Sequence, residues 1–429
     1  MHCTLTASFT ECRLLNSLQV PVKTEERDMS RYVIVGCGVA GNAAAETIRK
    51  LDPESQIRMF TKEGHFYYYR PALPEYLAGE RVLKAFTLHD GTWYEKNRID
   101  VHLSTEIVRV DPGARTVTTK DGQSFAYDRL LLATGGKASR PDIKGADAPG
   151  VLTLRTLDDA DAILKRAESA KSVTLIGGGL MGLEAGNGLR KRGLKVTVIE
   201  RNPRMLPRQM DPAGAQLLQL KMEEMGFSFL LNERTREIVP ADGRLTVIFE
   251  SGNRLDTDMV LFSAGVDPEL TLARQIGLPV GRAVKVDDRL QAGLEDIFAA
   301  GDDIEHRGRY YGSWPAAMAQ GRAAGANMAG KGTLYEGTLQ ANRLKVAGID
   351  LISMGDIDAE GDDECIVRSD EEKCVYRKLV IENNSIAGAI LLGDLHGEKE
   401  ILAAIEGHKD IALVKKAMEE EGFDLSKLK

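Results

Sequence analysis

The chain carries the same short punctuation twice. Arg31-Tyr-Val-Ile-Val-Gly-Cys-Gly-Val-Ala-Gly41 and Ser172-Val-Thr-Leu-Ile-Gly-Gly-Gly-Leu-Met-Gly182 each join an apolar run too short for a helix to glycines spaced GxGxxG, and each continues into a helical stretch. In the first copy Gly36 permits the turn, Gly38 lets a pyrophosphate approach the backbone, and Gly41 lets helix and strand pack closely, with Val39 and Ala40 between them. The anion then rests on unpaired N–H groups at the positive end of a helix dipole. Gly177, Gly179 and Gly182, with Met181 just before the last, repeat the plan. One GxGxxG is equally an ordinary strand-to-helix connection; repetition turns two weak motifs into one strong statement.

The parallel extends past the glycines. The second copy is followed by the strand Lys195-Val-Thr-Val-Ile-Glu200, whose terminal acid is placed to accept ribose hydroxyls. In the first copy Ile57-Arg-Met-Phe is followed by Thr61, and the acid available there is Glu63, two residues later. Each unit then carries a polar hairpin, at Asp121-Gly122 and Ser251-Gly252, and closes on a strand ending in small residues. These are Leu130-Leu-Leu-Ala133-Thr134-Gly135 and Val260-Leu-Phe-Ser-Ala-Gly265. Two dinucleotide sites in one chain imply two nucleotides brought face to face, and a flavin with a nicotinamide is the obvious pair.

At 429 residues the chain exceeds what a single core organises, so several domains are expected. With 56 Lys+Arg against 64 Asp+Glu, its net charge of -8 opposes the basic footprint of a nucleic-acid binder, and the whole acidic excess lies in residues 335–429, the rest being balanced to within one charge. No window approaches the roughly 18 apolar residues of a membrane span. Five cysteines form no regular framework, which fits a reducing, cytoplasmic setting. Cys365 and Cys374 lack the close pairing of a zinc or iron site, and no metal is expected. Residues 1–28 lack the plan of a secretory signal and read as a disordered extension, with Met29 an alternative start.

In this order and spacing the residues resemble the two-dinucleotide-binding flavoproteins of the pyridine nucleotide-disulfide oxidoreductase superfamily. Asp296-Ile-Phe-Ala-Ala-Gly301-Asp302 is similar to its returning strand, and the resemblance implies that Asp302 bonds the ribityl chain of FAD. It also implies that Trp314-Pro-Ala-Ala-Met-Ala-Gln-Gly321 opens a helix aimed at the pyrimidine edge of the flavin. His65-Phe-Tyr-Tyr-Tyr-Arg-Pro-Ala-Leu-Pro-Glu-Tyr-Leu-Ala-Gly79 resembles the flavin-proximal loop of rubredoxin reductases and of the nitrite reductase large subunit, which places Arg70 near the flavin. At least two of its three tyrosines read as core. Leu344 to Ile349 and Arg377 to Asp394 resemble the small C-terminal domain of the same group. The chain departs from the disulfide reductases at Pro71, where the resemblance would put a flavin-facing thiol, and Cys37 is best explained as a packing residue.

The expected architecture is therefore α/β, with two Rossmann-like domains and a small α+β domain. FAD belongs to 29–150 completed by 284–332, NAD to 151–283 inserted between them, and the small domain to 333–429. The resemblance implies that Glu184 borders the nicotinamide, while Glu200, accepting ribose hydroxyls and opposing an added phosphate by like charge, favours NADH over NADPH, against which stand Arg201 and Arg204, nearby cations able to accommodate a phosphate. The implied activity passes electrons from NADH through FAD to a small redox protein or partner subunit such as a rubredoxin-like protein, without a redox disulfide. Two alternatives stay open, an NADH oxidase and a redox-sensing flavoprotein without catalysis, and a homodimer is among the open assemblies.

Overall fold

The computed structural model describes residues 29–346, 348–358, 364–420, 423 and 425–428. The extension expected over 1–28 lies outside them. Apolar runs flanked by glycine turns form two parallel five-stranded sheets, as expected for strands buried on both faces. The first runs Ile297–Ala299, Arg129–Leu132, Arg31–Val35, Gln56–Phe60, Ile99–His102. The second runs Phe227–Leu231, Lys195–Glu200, Ser172–Ile176, Met259–Phe262, Val151–Thr153. Both glycine-turn strands are central: Val35 lies beside Phe60 and Leu132, and Ile176 beside Ile199 and Phe262.

Each sheet carries a three-stranded antiparallel addition, over residues 107–126 and 235–257, with the expected hairpins at Gly122 and Gly252. The chain leaves the first sheet after Leu132, builds the second, and returns through Ile297–Ala299. Gly136–Ala138 pairs antiparallel with Val266–Pro268, tying the outgoing and returning segments together.

Behind the first glycine turn, helix Val39–Leu51 packs along helix Trp314–Met328. The approach is close enough that a Cβ on Gly321 or Gly325 would press into the backbone of Ala40 or Ala44.

A third unit is antiparallel, ordered Ala341–Val346, Ile349–Gly355, Ser385–Leu392, Val375–Glu382, Glu364–Asp370. Its own core gathers Ile352, Leu379, Leu391, Ile401 and Ile405, the last two from helix Glu398–Glu406. It is pinned to the second unit by Tyr376, whose hydroxyl donates to Asp211 Oδ2 at 2.6 Å while Asp211 Oδ1 caps helix Pro212–Glu224 through the Gly214 N–H. Among the described residues no helix is long and apolar enough to cross a membrane.

Candidate active site

The two glycines at the head of the first turn meet opposite surroundings. Gly36 has φ +121°, and a Cβ there would drive into the Ala133 carbonyl oxygen. Gly38 caps helix Val39–Leu51, has no protein atom within 4 Å of where a Cβ would stand, and offers no side-chain cap to the helix N–H groups. A crowded turn beside an open cap is what a pyrophosphate cradle requires, so these residues fit a dinucleotide. Gly41 backs onto the Gly36 carbonyl. The second turn repeats the scheme: Gly177 (φ +108°) abuts the Ser263 carbonyl, Gly179 caps helix Leu180–Lys191, and Gly182 packs on the Ser263 side chain. Met181 is partly exposed beside it, and Gly265 (φ +100°) faces open space.

Glu63 and Arg70, singled out separately in the sequence, are partners. The Arg70 guanidinium donates to Glu63 Oε1, Tyr68 Oη donates to Glu63 Oε2 at 2.8 Å, and Arg70 also reaches the Arg155 carbonyl at 2.8 Å. Both line a cleft with Cys37, Gly38, Thr61 and Trp314. Tyr67 and Tyr68 are buried and Tyr69 is 38% exposed, which agrees with two core tyrosines in the run. Trp314 stacks parallel to Tyr67 at 5.8 Å and edge-on to Tyr69 at 4.9 Å.

Asp302 does not stand free. Its Oδ2 accepts from Arg155 Nη2 at 2.6 Å, and Arg155 Nε reaches the Gly136 carbonyl. The neighbouring Asp303 is fully buried. Its Oδ2 accepts both the Thr134 N–H (2.8 Å) and the Thr134 hydroxyl (2.7 Å), and its Oδ1 has no partner. Burial pushes its carboxyl up to about 8, the bonds from Thr134 opposing the rise. Through Thr134 it holds the Ala133–Gly135 turn against Gly36. Gly301 (φ +112°) donates its N–H to Gln320 Oε1 at 2.9 Å.

Glu200 is 7% exposed and accepts the Gly178 N–H at 2.8 Å. Glu184, on helix Leu180–Lys191, accepts the Lys345 backbone N–H at 3.0 Å, and burial raises its carboxyl to about 7. Cys37 Sγ lies 3.4 Å from Tyr94 Oη and 3.7 Å from Asn42 Nδ2, its thiol pushed up by burial. Pro71 is exposed on the single turn Arg70–Ala72.

Residues 30–321 match the pyridine nucleotide-disulphide oxidoreductase family. The chain belongs to that family. Residues 341–409 match the C-terminal domain of rubredoxin NAD+ reductase. Among curated relatives, the nitrite reductase [NAD(P)H] of Bacillus subtilis is 36% identical over 384 residues, covering 89% of this chain and 48% of that protein. The chain thus spans about half the length of its nitrite reductase relatives. The NADH oxidase of Methanocaldococcus jannaschii is 34% identical over 342 residues, 76% of each chain. The solved NADH:rubredoxin oxidoreductase of Clostridium acetobutylicum superposes with a TM-score of 0.76 at 28% identity, covering 89% of this chain and 96% of that one. The family and the two-module fold agree with the motif reading. Arg155, Asp303 and Asn202, which shape the sites, escaped it because none lies within a recognisable spacing, and Gln320, though inside the stretch Trp314–Gly321, is given no role there.

Proposed function

We propose that the chain is an FAD-dependent NADH oxidoreductase that delivers electrons to a small electron-transfer protein or partner subunit without a redox-active disulfide. Pro71 carries this reading: an exposed proline, with no nucleophile, stands where a disulfide reductase of the family would need its thiol. Cys37 lines the cleft with Arg70, and desolvation pushes its thiol up, away from the thiolate that a redox role needs. Bound FAD would supply the hydride acceptor and the electron donor.

The protein's share is binding and field. Gly36, Gly38, Val39, Ala40 and Gly41 would seat the FAD pyrophosphate. Glu63 and Arg70, the Ala133–Thr134–Gly135 turn, Gly301 and Asp302 would flank the rest of the flavin nucleotide. Gly177, Gly179, Met181, Gly182 and Gly265 would seat NADH, with Glu184 bordering the nicotinamide. Glu200 would accept ribose hydroxyls and disfavour the extra phosphate of NADPH by like charge in a partly desolvated site. The module division expected from the sequence, 29–150 with 284–332 and 151–283, assigns one nucleotide to each sheet.

The test is an anaerobic spectrum of the purified protein before and after NADH. Yellow protein bleached by NADH supports the reading; flavin-free protein that cannot be reconstituted, or flavin that NADH leaves oxidised, rejects it. The NADH oxidase relative favours a second reading, delivery to oxygen. Fast aerobic NADH turnover without an added acceptor would select it.

A further inference from the structure

The carboxylate of Glu200 is held from two sides. Oε2 accepts the Gly178 N–H at 2.8 Å, while Oε1 accepts both the backbone N–H of Asn202 at 2.9 Å and its side-chain Nδ2 at 2.6 Å. A carboxylate offers about four lone-pair sites, so Oε1 is filled and about one site is left, on Oε2 beside the glycine turn. The segment beyond closes over this arrangement. Leu206 N–H donates to the Gly178 carbonyl at 3.1 Å, and a Cβ on Gly178 would meet Met205 Cβ at 3.2 Å. Arg204, a cation that could otherwise greet a phosphate, turns its guanidinium onto the carbonyls of Met210 (3.1 Å) and Pro207 (3.3 Å).

We propose that Asn202 is a specificity-determining residue, which fixes Glu200 in one orientation and so makes the choice between NAD and NADP coenzymes rigid. The inference rests on the reading of Glu200 as the ribose acceptor. A 2′-phosphate is tolerated beside an acid only if that carboxylate can swing away. Here the swing breaks all three hydrogen bonds to the carboxylate, and of the two arginines that follow it Arg204 is turned onto backbone carbonyls, which leaves the exposed Arg201 to meet a phosphate. The same clamp spares NAD the cost of ordering its acceptor. The readily mutable part is the Asn202 amide, since its backbone N–H survives any side-chain change.

The experiment is calorimetric titration of the FAD-containing protein with NAD+ and with NADP+, for wild type, Asn202→Ala, Asn202→Ser and Glu200→Ala. The NAD+/NADP+ affinity ratio is expected to fall about tenfold in Asn202→Ala, the loss of one charge-assisted hydrogen bond, and to recover in part in Asn202→Ser, whose hydroxyl can still donate. Glu200→Ala should abolish the preference. A ratio unchanged in Asn202→Ala while Glu200→Ala collapses it would overturn the role of Asn202 and leave that of Glu200 standing. A ratio unchanged in Glu200→Ala rejects the ribose reading and this inference with it. Should the alanine variant fail to fold, Asn202→Leu has a similar size with neither donor nor charge; a preserved ratio there also overturns the proposal.

Discussion

Arg155 and Asp302 meet at 2.6 Å, joining the segment that opens the second nucleotide module to the loop that completes the first. Both side chains are largely buried, so each is costly to leave without the other. Asp302→Ala removes the acceptor expected for a ribityl hydroxyl and frees a buried guanidinium. FAD affinity should drop by about 1.5 to 3 kcal/mol, roughly ten- to a hundredfold. Fluorescence of FAD released on dilution measures it, and retention equal to wild type would remove Asp302 from the flavin site.

The first glycine turn predicts two different failures from the same chemical change. Gly36→Ala needs a positive φ and forces a methyl into the Ala133 carbonyl, so it should cost about 3 kcal/mol or more of stability. Gly38→Ala meets no protein atom, so the fold should survive while the methyl occupies the space left for the pyrophosphate. Thermal melting together with flavin content separates the two. A yellow Gly38→Ala protein would show that the cradle is used differently.

Electron flow should stop at the flavin. With Pro71 exposed and the half-buried Cys37 thiol pushed up by desolvation, an anaerobic NADH titration should bleach the flavin with one hydride per FAD, and prior thiol alkylation should not change the endpoint. A second hydride, or a long-wavelength charge-transfer band lost in Cys37→Ser, would indicate a working thiol.

Asp303 gives the fold a pH dependence of definite sign. Its folded carboxyl titrates near 8, against about 3.9 for an unperturbed aspartate. An acid raised in this way contributes stability that is complete below about pH 4 and is lost as pH climbs through about 8. Asp303→Asn keeps an acceptor for Thr134 without the charge. Its melting temperature relative to wild type should therefore rise steadily between pH 5 and 8.5, and a constant difference would mean that the carboxyl is ionised throughout.

What the sequence reveals here is whatever repeats at fixed spacing. The two glycine turns and the closing strands follow from periodicity and turn chemistry, which are local, whereas the insertion of one module within the other is implied only by the resemblance of Asp296–Asp302 to a returning strand. Pairings across the chain are not local. Glu63 and Arg70 each stood out, yet nothing in their seven-residue separation revealed that one neutralises the other. Asp303, next to Asp302, drew no reading at all, because what defines it is Thr134, far away in the chain, donating to it twice. Arg155 had no motif at all, because its function comes from lying where two modules touch.

The close seating of Gly321 and Gly325 on Ala40 and Ala44 bears on how the nucleotide would ever leave. Helices Val39–Leu51 and Trp314–Met328 share a seam with no side chain at its tightest points, so neither can slide or tilt without separating from the other. Local fraying therefore stops short of this seam, and its amides should be among the last to exchange with deuterium. The rate of flavin escape should then track whole-module opening rather than the breathing of any loop.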